Sequence, residues 1–423
     1  MYRWILVVWI GMCALAARAQ TNMGGPAGSM AENILRHTGS GTDLEPASNA
    51  PPMLMTMRPS GWMLMLHGEA SAVEQQQTGP RGHDKFLSVN WAMPMAQRSI
   101  AGGEITLRAM FSLEPATITG RFYPELFQEG ETAYGRPIVN GQHPHNLFME
   151  LAGLYDRRVG TYAVLSLYAA PVGDPALGPE AFPHRASIGD DPLAPLGHHL
   201  EDSTHIADEV VTGGVAWAQG QRGLRVEASG FHGREPGENR WTIEAGGVDS
   251  WSARFTAAPG GDWSVQYSLG HLHSPEQAHP TEDILRQTAS IAYHRATGAG
   301  PLHVMAVWGR NHTSGTAINA NGYLLEAAVR PQERQTVWTR IENADRTTDL
   351  LGALAPPLES VVGRVQAYTG GYAYRVRGWK DGSAELGAQI TGYGVPDRLL
   401  ALYGQHPVGV AAVFEVRLGN GER

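Results

Sequence analysis

The feature that most constrains this chain is a period-two alternation of apolar and polar side chains that recurs in short segments along its length. In one segment Ile105, Leu107, Ala109 and Phe111 oppose Glu104, Thr106, Arg108 and Met110. In another, Trp263, Val265, Tyr267 and Leu269 oppose Ser264, Gln266 and Ser268. Near the end Val408, Val410, Ala412, Phe414 and Val416 oppose Gly409, Ala411, Glu415 and Arg417. Successive side chains of a strand point to opposite faces, so each segment makes a ribbon with one oily and one wet face.

Sixteen such segments are read: 61–74, 85–97, 103–114, 146–156, 160–170, 209–218, 222–232, 248–257, 262–273, 284–295, 301–311, 321–330, 334–342, 363–375, 383–393 and 407–418. Their connectors differ by parity. The even ones are short, as at Arg98 to Gly102, Arg157 to Val159 and Gln219 to Gln221. The odd ones are mostly longer, and the two longest are Pro115 to His145 and Pro171 to Asp208. A soluble sandwich also alternates but has no reason to sort its loops this way. A barrel with both chain ends in the periplasm must put tight turns on one rim and long loops on the other. The expected fold is therefore all-β, a transmembrane antiparallel up-and-down barrel of about sixteen strands, with two long loops on the extracellular rim. Hydrocarbon leaves no unpaired backbone group tolerable, so the sheet must close.

The start of the chain fits export. Arg3 precedes the apolar run Trp4 to Ala16, and Ala17-Arg18-Ala19 fits a small-x-small cleavage site. Residues 1–19 are read as a signal peptide, 20–60 as a flexible, Met-containing periplasmic segment and 61–423 as the barrel. Within 20–60 only Met30 to His37 suggests a helical turn; a plug is the alternative role, and the recurring Met23, Met30, Met53, Met55 and Met57 admit a further one as a soft-metal lure, since thioethers suit Cu(I). The single cysteine, Cys13, lies in the signal, so a mature chain has neither disulfides nor thiolate sites. Loss of Arg3 and Arg18 leaves 30 basic against 41 acidic residues, a net charge of −11. That excess argues against nucleic acid and favours attraction of cations. The location expected is the bacterial outer membrane. The partners are its lipid and lipopolysaccharide and the barrel-assembly machinery.

Chemistry is concentrated in histidine. His143 and His145 flank Pro144, and on an extended segment they point the same way, so that one metal ion could bridge them. The longer loop adds His184, His198, His199, Asp202 and His205 among several acids. Imidazole with carboxylate suits Zn(II), Cu(II) or Ni(II). The metal candidates are His143, His145, His198, His199, His205 and Asp202. The alternative for the same residues is a hydrogen-bonded network that holds a folded-in loop. On the lumen face, Met63, Met65, His67 and Met110 offer softer donors suited to Cu(I), or ordinary lumen filling. Arg108 and Glu150 are further lumen candidates. Leu147, Met149, Leu151 and Tyr155 are read as one face of their strand, opposite Glu150 and Asp156.

No G-x-S-x-G, H-E-x-x-H, phosphate-loop or dinucleotide motif occurs. Asp202, Ser203 and His205 carry hydrolase residue types, but as sequence neighbours. A non-enzymatic barrel is expected, with a general diffusion porin or a structural barrel as one alternative and a lipid hydrolase as another.

The strings GWMLMLHG (61–68), GPRGHDKF (79–86), AMFSLEP (109–115), YPELFQEGET (123–132), NGQHPHNLFMELA (140–152), HHLEDSTHI (198–206) and ASGFHGREP (228–236) resemble those of a family of exported bacterial proteins often encoded beside copper-resistance and heavy-metal efflux genes. The resemblance implies an outer-membrane location, a copper-linked setting and metal-efflux components as partners. His143, His145, His198, His199 and His205 lie on its motif positions.

Overall fold

The computed structural model describes residues 29–49, 51–351 and 360–419. The signal-peptide reading of residues 1–19 lies outside the described residues. Sixteen antiparallel strands close a barrel: β1 (Met63–Gln77), β2 (Lys85–Ile100), β3 (Gly103–Phe111), β4 (Phe148–Val159), β5 (Ala163–Gly173), β6 (Ala207–Gln219), β7 (Arg222–His232), β8 (Ser250–Ala258), β9 (Trp263–Leu272), β10 (Ile284–Thr297), β11 (Gly300–Thr313), β12 (Asn319–Gln332), β13 (Gln335–Thr347), β14 (Val361–Trp379), β15 (Gly382–Gly394) and β16 (Val408–Leu418). Each pairs with its sequence neighbours. Closure comes from β1 with β16, in register from Gly68 opposite Leu418 to Gln77 opposite Gly409. Below Gly68 the edge of β1 is covered instead by a short strand, Leu54–Met57.

The expected connector parity holds around the ring. The even connectors are the tight turns 101–102, 160–162, 220–221, 259–262, 298–299, 333–334 and 380–381. At 101–102 both residues have positive φ, 52° at Ala101 and 75° at Gly102, as a two-residue hairpin turn matched to strand twist requires. Long connectors gather at the other, extracellular rim.

The outward face is apolar: Leu167, Val211, Val226, Leu386 and Ile390 are all more than half exposed. Aromatic pairs lie beside the tight turns, with Tyr162 and Trp217 at 6.3 Å and Trp263 and Tyr293 at 4.4 Å between ring centroids. A lipid-facing band ending in aromatic girdles is what an outer-membrane barrel needs. The inward face is polar and buried, with Arg108, Arg225, Arg254, Arg286 and Arg340 among its side chains.

Two elements depart from the sequence reading. In β4 the pairing shifts between Met110 opposite Glu150 and Phe111 opposite Phe148. The extra residue is Met149, and this bulge turns it inward, buried beside Glu150, rather than onto the lipid face with Leu151. The second departure is the N-terminal segment, read as flexible and periplasmic with a plug as the alternative role, and the alternative is the one it takes. Residues 29–49 fold into the lumen. Helix α1 (Met30–Arg36) is closed by a capping box between Ser29 and Glu32, and its buried Met30 and Ile34 pack on Val164, Ala216 and Ala218. The Met30 N–H donates to the Gly220 carbonyl at 2.8 Å, which places α1 at the tight-turn end. Beyond α1, His37 meets Asp156 at 2.7 Å, Ser40 donates to Asp174 at 2.7 Å, Asp43 pairs with Arg254 and Ser264 donates to the Leu44 carbonyl at 2.6 Å. Composition concealed this. The segment is polar because its surroundings, the inner wall, are polar.

Candidate metal centre in the lumenal loops

Two extracellular loops enter the barrel. The third loop, 112–147, begins along β2 where β3 has already ended. There the Asn90 N–H donates to Glu114 at 3.3 Å and the Thr117 hydroxyl to the Ser88 carbonyl at 2.7 Å, which satisfies an otherwise open strand edge. The fifth loop, 174–206, crosses the lumen and is bound by wall residues on most sides. Arg286 donates to the His199 carbonyl at 2.7 Å, Arg340 to that of Leu193 at 3.0 Å and Arg417 to that of Gly189 at 2.8 Å. Ser187 donates to Glu326 at 3.0 Å, and Arg340 lies 3.1 Å from Asp191. Buried carbonyls and carboxylates thus find their partners in wall arginines, and the loop is held as a crosspiece rather than a flap.

Where these loops meet, Glu131, His143 and His199 bring one ligand atom each within 4.8 Å of one another. His143 Nε2 contacts Glu131 Oε1, and Arg240 donates to the other carboxylate oxygen at 2.5 Å. His143 Nδ1 lies 2.8 Å from the Pro144 carbonyl, which leaves Nε2 as the ligand nitrogen. His199 Nδ1 is 3.7 Å from Glu235. Gly130, at φ +119°, lets the third loop pass the His199 ring; a Cβ there would sit 3.1 Å from Nδ1. Burial and Arg240 push the His143 imidazole down to about 4. Burial alone would raise Glu131, but His143 and Arg240 outweigh it and hold the carboxyl below its ordinary range. At neutral pH the pair therefore offers a neutral imidazole and a carboxylate, the protonation states a metal ligand needs.

The sequence candidates divide between two places. His143 and His199 belong to this group. His145 does not share it: its backbone N–H and its Nδ1 both engage Glu114, at 2.8 and 2.9 Å. The expectation that His143 and His145 bridge one ion is corrected accordingly, because the two carboxylates draw the rings to different partners. His145, His198 and His205 instead form a ring nest around Phe182, with centroids of His198 and His205 at 5.3 Å and of His145 and His205 at 5.5 Å. Asp202 is committed to this nest. It meets His198 Nδ1 at 2.7 Å, pairs with Arg185 and accepts the Phe182 N–H at 2.9 Å. Burial pushes His198 down despite Asp202, and His205 to about 3.

Sequence reasoning missed Glu131, which sits in the quoted YPELFQEGET string but 12 residues before His143. It also missed a second group, Glu276, His279 and Asp349, whose ligand atoms again lie within 4.8 Å. That group joins two loops of the outer rim, with His279 Nε2 at 3.1 Å from Asp349. Among the described residues these are the two groups of histidine and acidic side chains with such spacing.

The softer lumen candidates cluster lower down. Met65 and Met110 are buried with Met93, Met95, Met149 and Trp91, and Met63 packs against them. His67 is buried beside Trp91 with centroids 5.1 Å apart, and His184 Nε2 lies 3.3 Å from Met110 Sδ. Arg108 and Glu150 form a separate buried pair at 2.7 Å that anchors the N-terminal segment.

A closed sixteen-stranded barrel with an apolar girdle, tight turns on one rim and an internally plugged lumen defines an outer-membrane protein of the porin fold. A solved porin structure agrees on the fold. The chain is similar to Salmonella typhi OmpF, solved in complex with daunomycin, at 10% identity and a TM-score of 0.50 over 85% of this chain and 99% of that one. It is similar to an anion-selective porin from Comamonas acidovorans at 10% identity and a TM-score of 0.49, over 84% and 99%. No protein-family model matches the chain. No curated protein matches it either.

Proposed function

We propose that this barrel is a porin-like protein that passes or sequesters transition-metal cations, with copper homeostasis as its setting and no enzymatic activity. The observation that carries the reading is the Glu131, His143 and His199 group, formed by two loops that fill the lumen. A net-acidic chain draws cations towards the barrel, and the His143 and His199 imidazoles with the Glu131 carboxylate retain them. Calorimetric titration of the purified protein with Zn(II), Cu(II) and Cu(I), beside a His143→Ala/His199→Ala variant, tests it. Heat lost in the variant supports the site, and equal heats for both proteins end the idea. A general diffusion porin fits less well, because the fifth loop and the N-terminal segment occupy the space through which solutes would pass. A hydrolase fits worst. The Ser203 hydroxyl accepts from Arg286 at 2.8 Å and donates to Glu235 at 3.2 Å, while His205 Nδ1 is spent on the Asp202 carbonyl at 2.8 Å.

A further inference from the structure

The tight-turn half of the barrel holds a row of thioethers that the loop site does not use. Met55 on the short N-terminal strand lies directly opposite Met65 on β1, and Met65 directly opposite Met95 on β2. Directly opposed residues of neighbouring strands project from the same face at about 5 Å spacing. Three methionines therefore stand side by side across three strands. One step outward, Met57 opposes Met63; one step inward, His67 opposes Met93. Exposure grades along the row: Met57 is 56% exposed, Met53, Met55 and Met63 are partly buried, and Met65, Met93 and Met95 are buried. The row begins at solvent on the periplasmic rim and ends inside the wall.

At its inner end stand two imidazoles. The His67 ring is 4% exposed, and its Nε2 has no hydrogen-bond partner. His184, from the fifth loop, places Nε2 at 3.3 Å from Met110 Sδ, with its ring 5.8 Å from that of His67 and 4.5 Å from Trp91. His67, His184 and Trp91 also line a cavity of about 180 Å³, which the carboxylates of Glu45, Glu69 and Glu180 share with several arginines. The imidazoles stand between this polar cavity and the sulfurs. Packing alone accounts for methionines filling a wall, but it does not account for a buried imidazole nitrogen left without a partner beside them. Thioether sulfur and neutral imidazole together select soft monovalent cations.

We propose that Met65, Met93, Met110, His67 and His184 form a binding site for a soft monovalent cation, Cu(I) or its analogue Ag(I), and that Met57, Met55 and Met63 lead to it from the periplasmic rim. The proposal deepens the metal-handling reading above, but its donors are distinct from the histidine and carboxylate group between the loops.

The test is titration of the full-length refolded protein with Ag(I), and with Cu(I) kept reduced, followed by tryptophan fluorescence. Zn(II) titration runs in parallel. Wild-type protein should bind Ag(I) saturably and quench Trp91, and Trp91→Phe should remove that quench. A Met65→Leu/Met93→Leu/Met110→Leu variant keeps the side-chain volume and should weaken Ag(I) by at least about tenfold, with Zn(II) binding unchanged. His67→Leu serves as a second variant if the triple one fails to fold. Ag(I) affinity equal to wild type in either folded variant overturns the proposal. Loss of Zn(II) binding in His143→Ala/His199→Ala with Ag(I) retained supports two separate sites. Absence of Zn(II) binding in the wild type, with Ag(I) bound, removes the loop site alone.

Discussion

Arg108 and Glu150 are joined at 2.7 Å inside the barrel wall, and the same guanidinium donates to the carbonyls of His37 at 3.1 Å and Gly39 at 2.6 Å. One wall arginine therefore ties a strand-borne carboxylate to the N-terminal segment. The Glu150 carboxylate also accepts from Tyr168 at 2.7 Å. Replacement of Arg108 by Leu strands a buried carboxylate and frees the segment. Breaking a buried pair from one side costs about 3–5 kcal/mol. Arg108→Leu should lower the denaturant midpoint and admit protease to residues 29–49, whereas Arg108→Leu/Glu150→Gln should recover much of the loss. Limited proteolysis beside a urea titration checks both.

Metal affinity at the loop site should depend on pH through His199. Burial lowers this imidazole, but Glu235 outweighs burial and holds it above the ordinary value of 6.5. A metal must displace that proton, so Zn(II) binding should strengthen as pH rises through the His199 titration and level off above it. Glu235→Gln should move the same rise to lower pH. The stability term has the opposite sense. A folded-state pKa raised above the unfolded one contributes fully below 6.5 and is lost as pH rises through the folded value. Calorimetric Zn(II) titrations from about pH 5 to 8, the span in which imidazoles change charge, read the first effect.

Gly130 should be sensitive to the smallest substitution. Its φ of +119° and the 3.1 Å that a Cβ would leave to His199 Nδ1 act together. Gly130→Ala should shift the ring and weaken Zn(II) by about tenfold or more while the barrel still forms. Unchanged affinity in a folded variant contradicts the packing described.

Ser203→Ala should leave lipid turnover unchanged in cells and in vesicles, since Ser203 meets Arg286 and Glu235 rather than an imidazole. A fall in turnover reopens the hydrolase reading.

The barrel was legible because its rule is local. Alternation fixes the faces and loop parity fixes the rims, and every strand read from the sequence is present within a few residues. The rule failed where the wall has a partner on its inner side. Leu87, Val89, Trp91, Met93 and Met95 of β2 all point inward and are buried against loops and neighbouring methionines, so an apolar face did not mean a lipid face. Met149 escaped for a related reason: one extra residue in a bulge reverses its side, and pairing registers are not written in one strand alone. The loop site was half visible. Histidine density marked the fifth loop, but Glu131 and Arg240 reach His143 only through the fold, and the sorting of His143 from His145 depends on which carboxylate each one meets.

The central claim is that the N-terminal segment and the third and fifth loops fill the lumen. Single-channel conductance in planar bilayers tests it most directly, on the wild-type protein and on a variant with residues 29–49 deleted and the fifth loop shortened between Gly178 and Ile206. The account predicts little or no steady conductance for the wild type and a large, stable conductance for the variant. Wild-type protein that conducts like an open sixteen-stranded porin, with no gain on deletion, contradicts it.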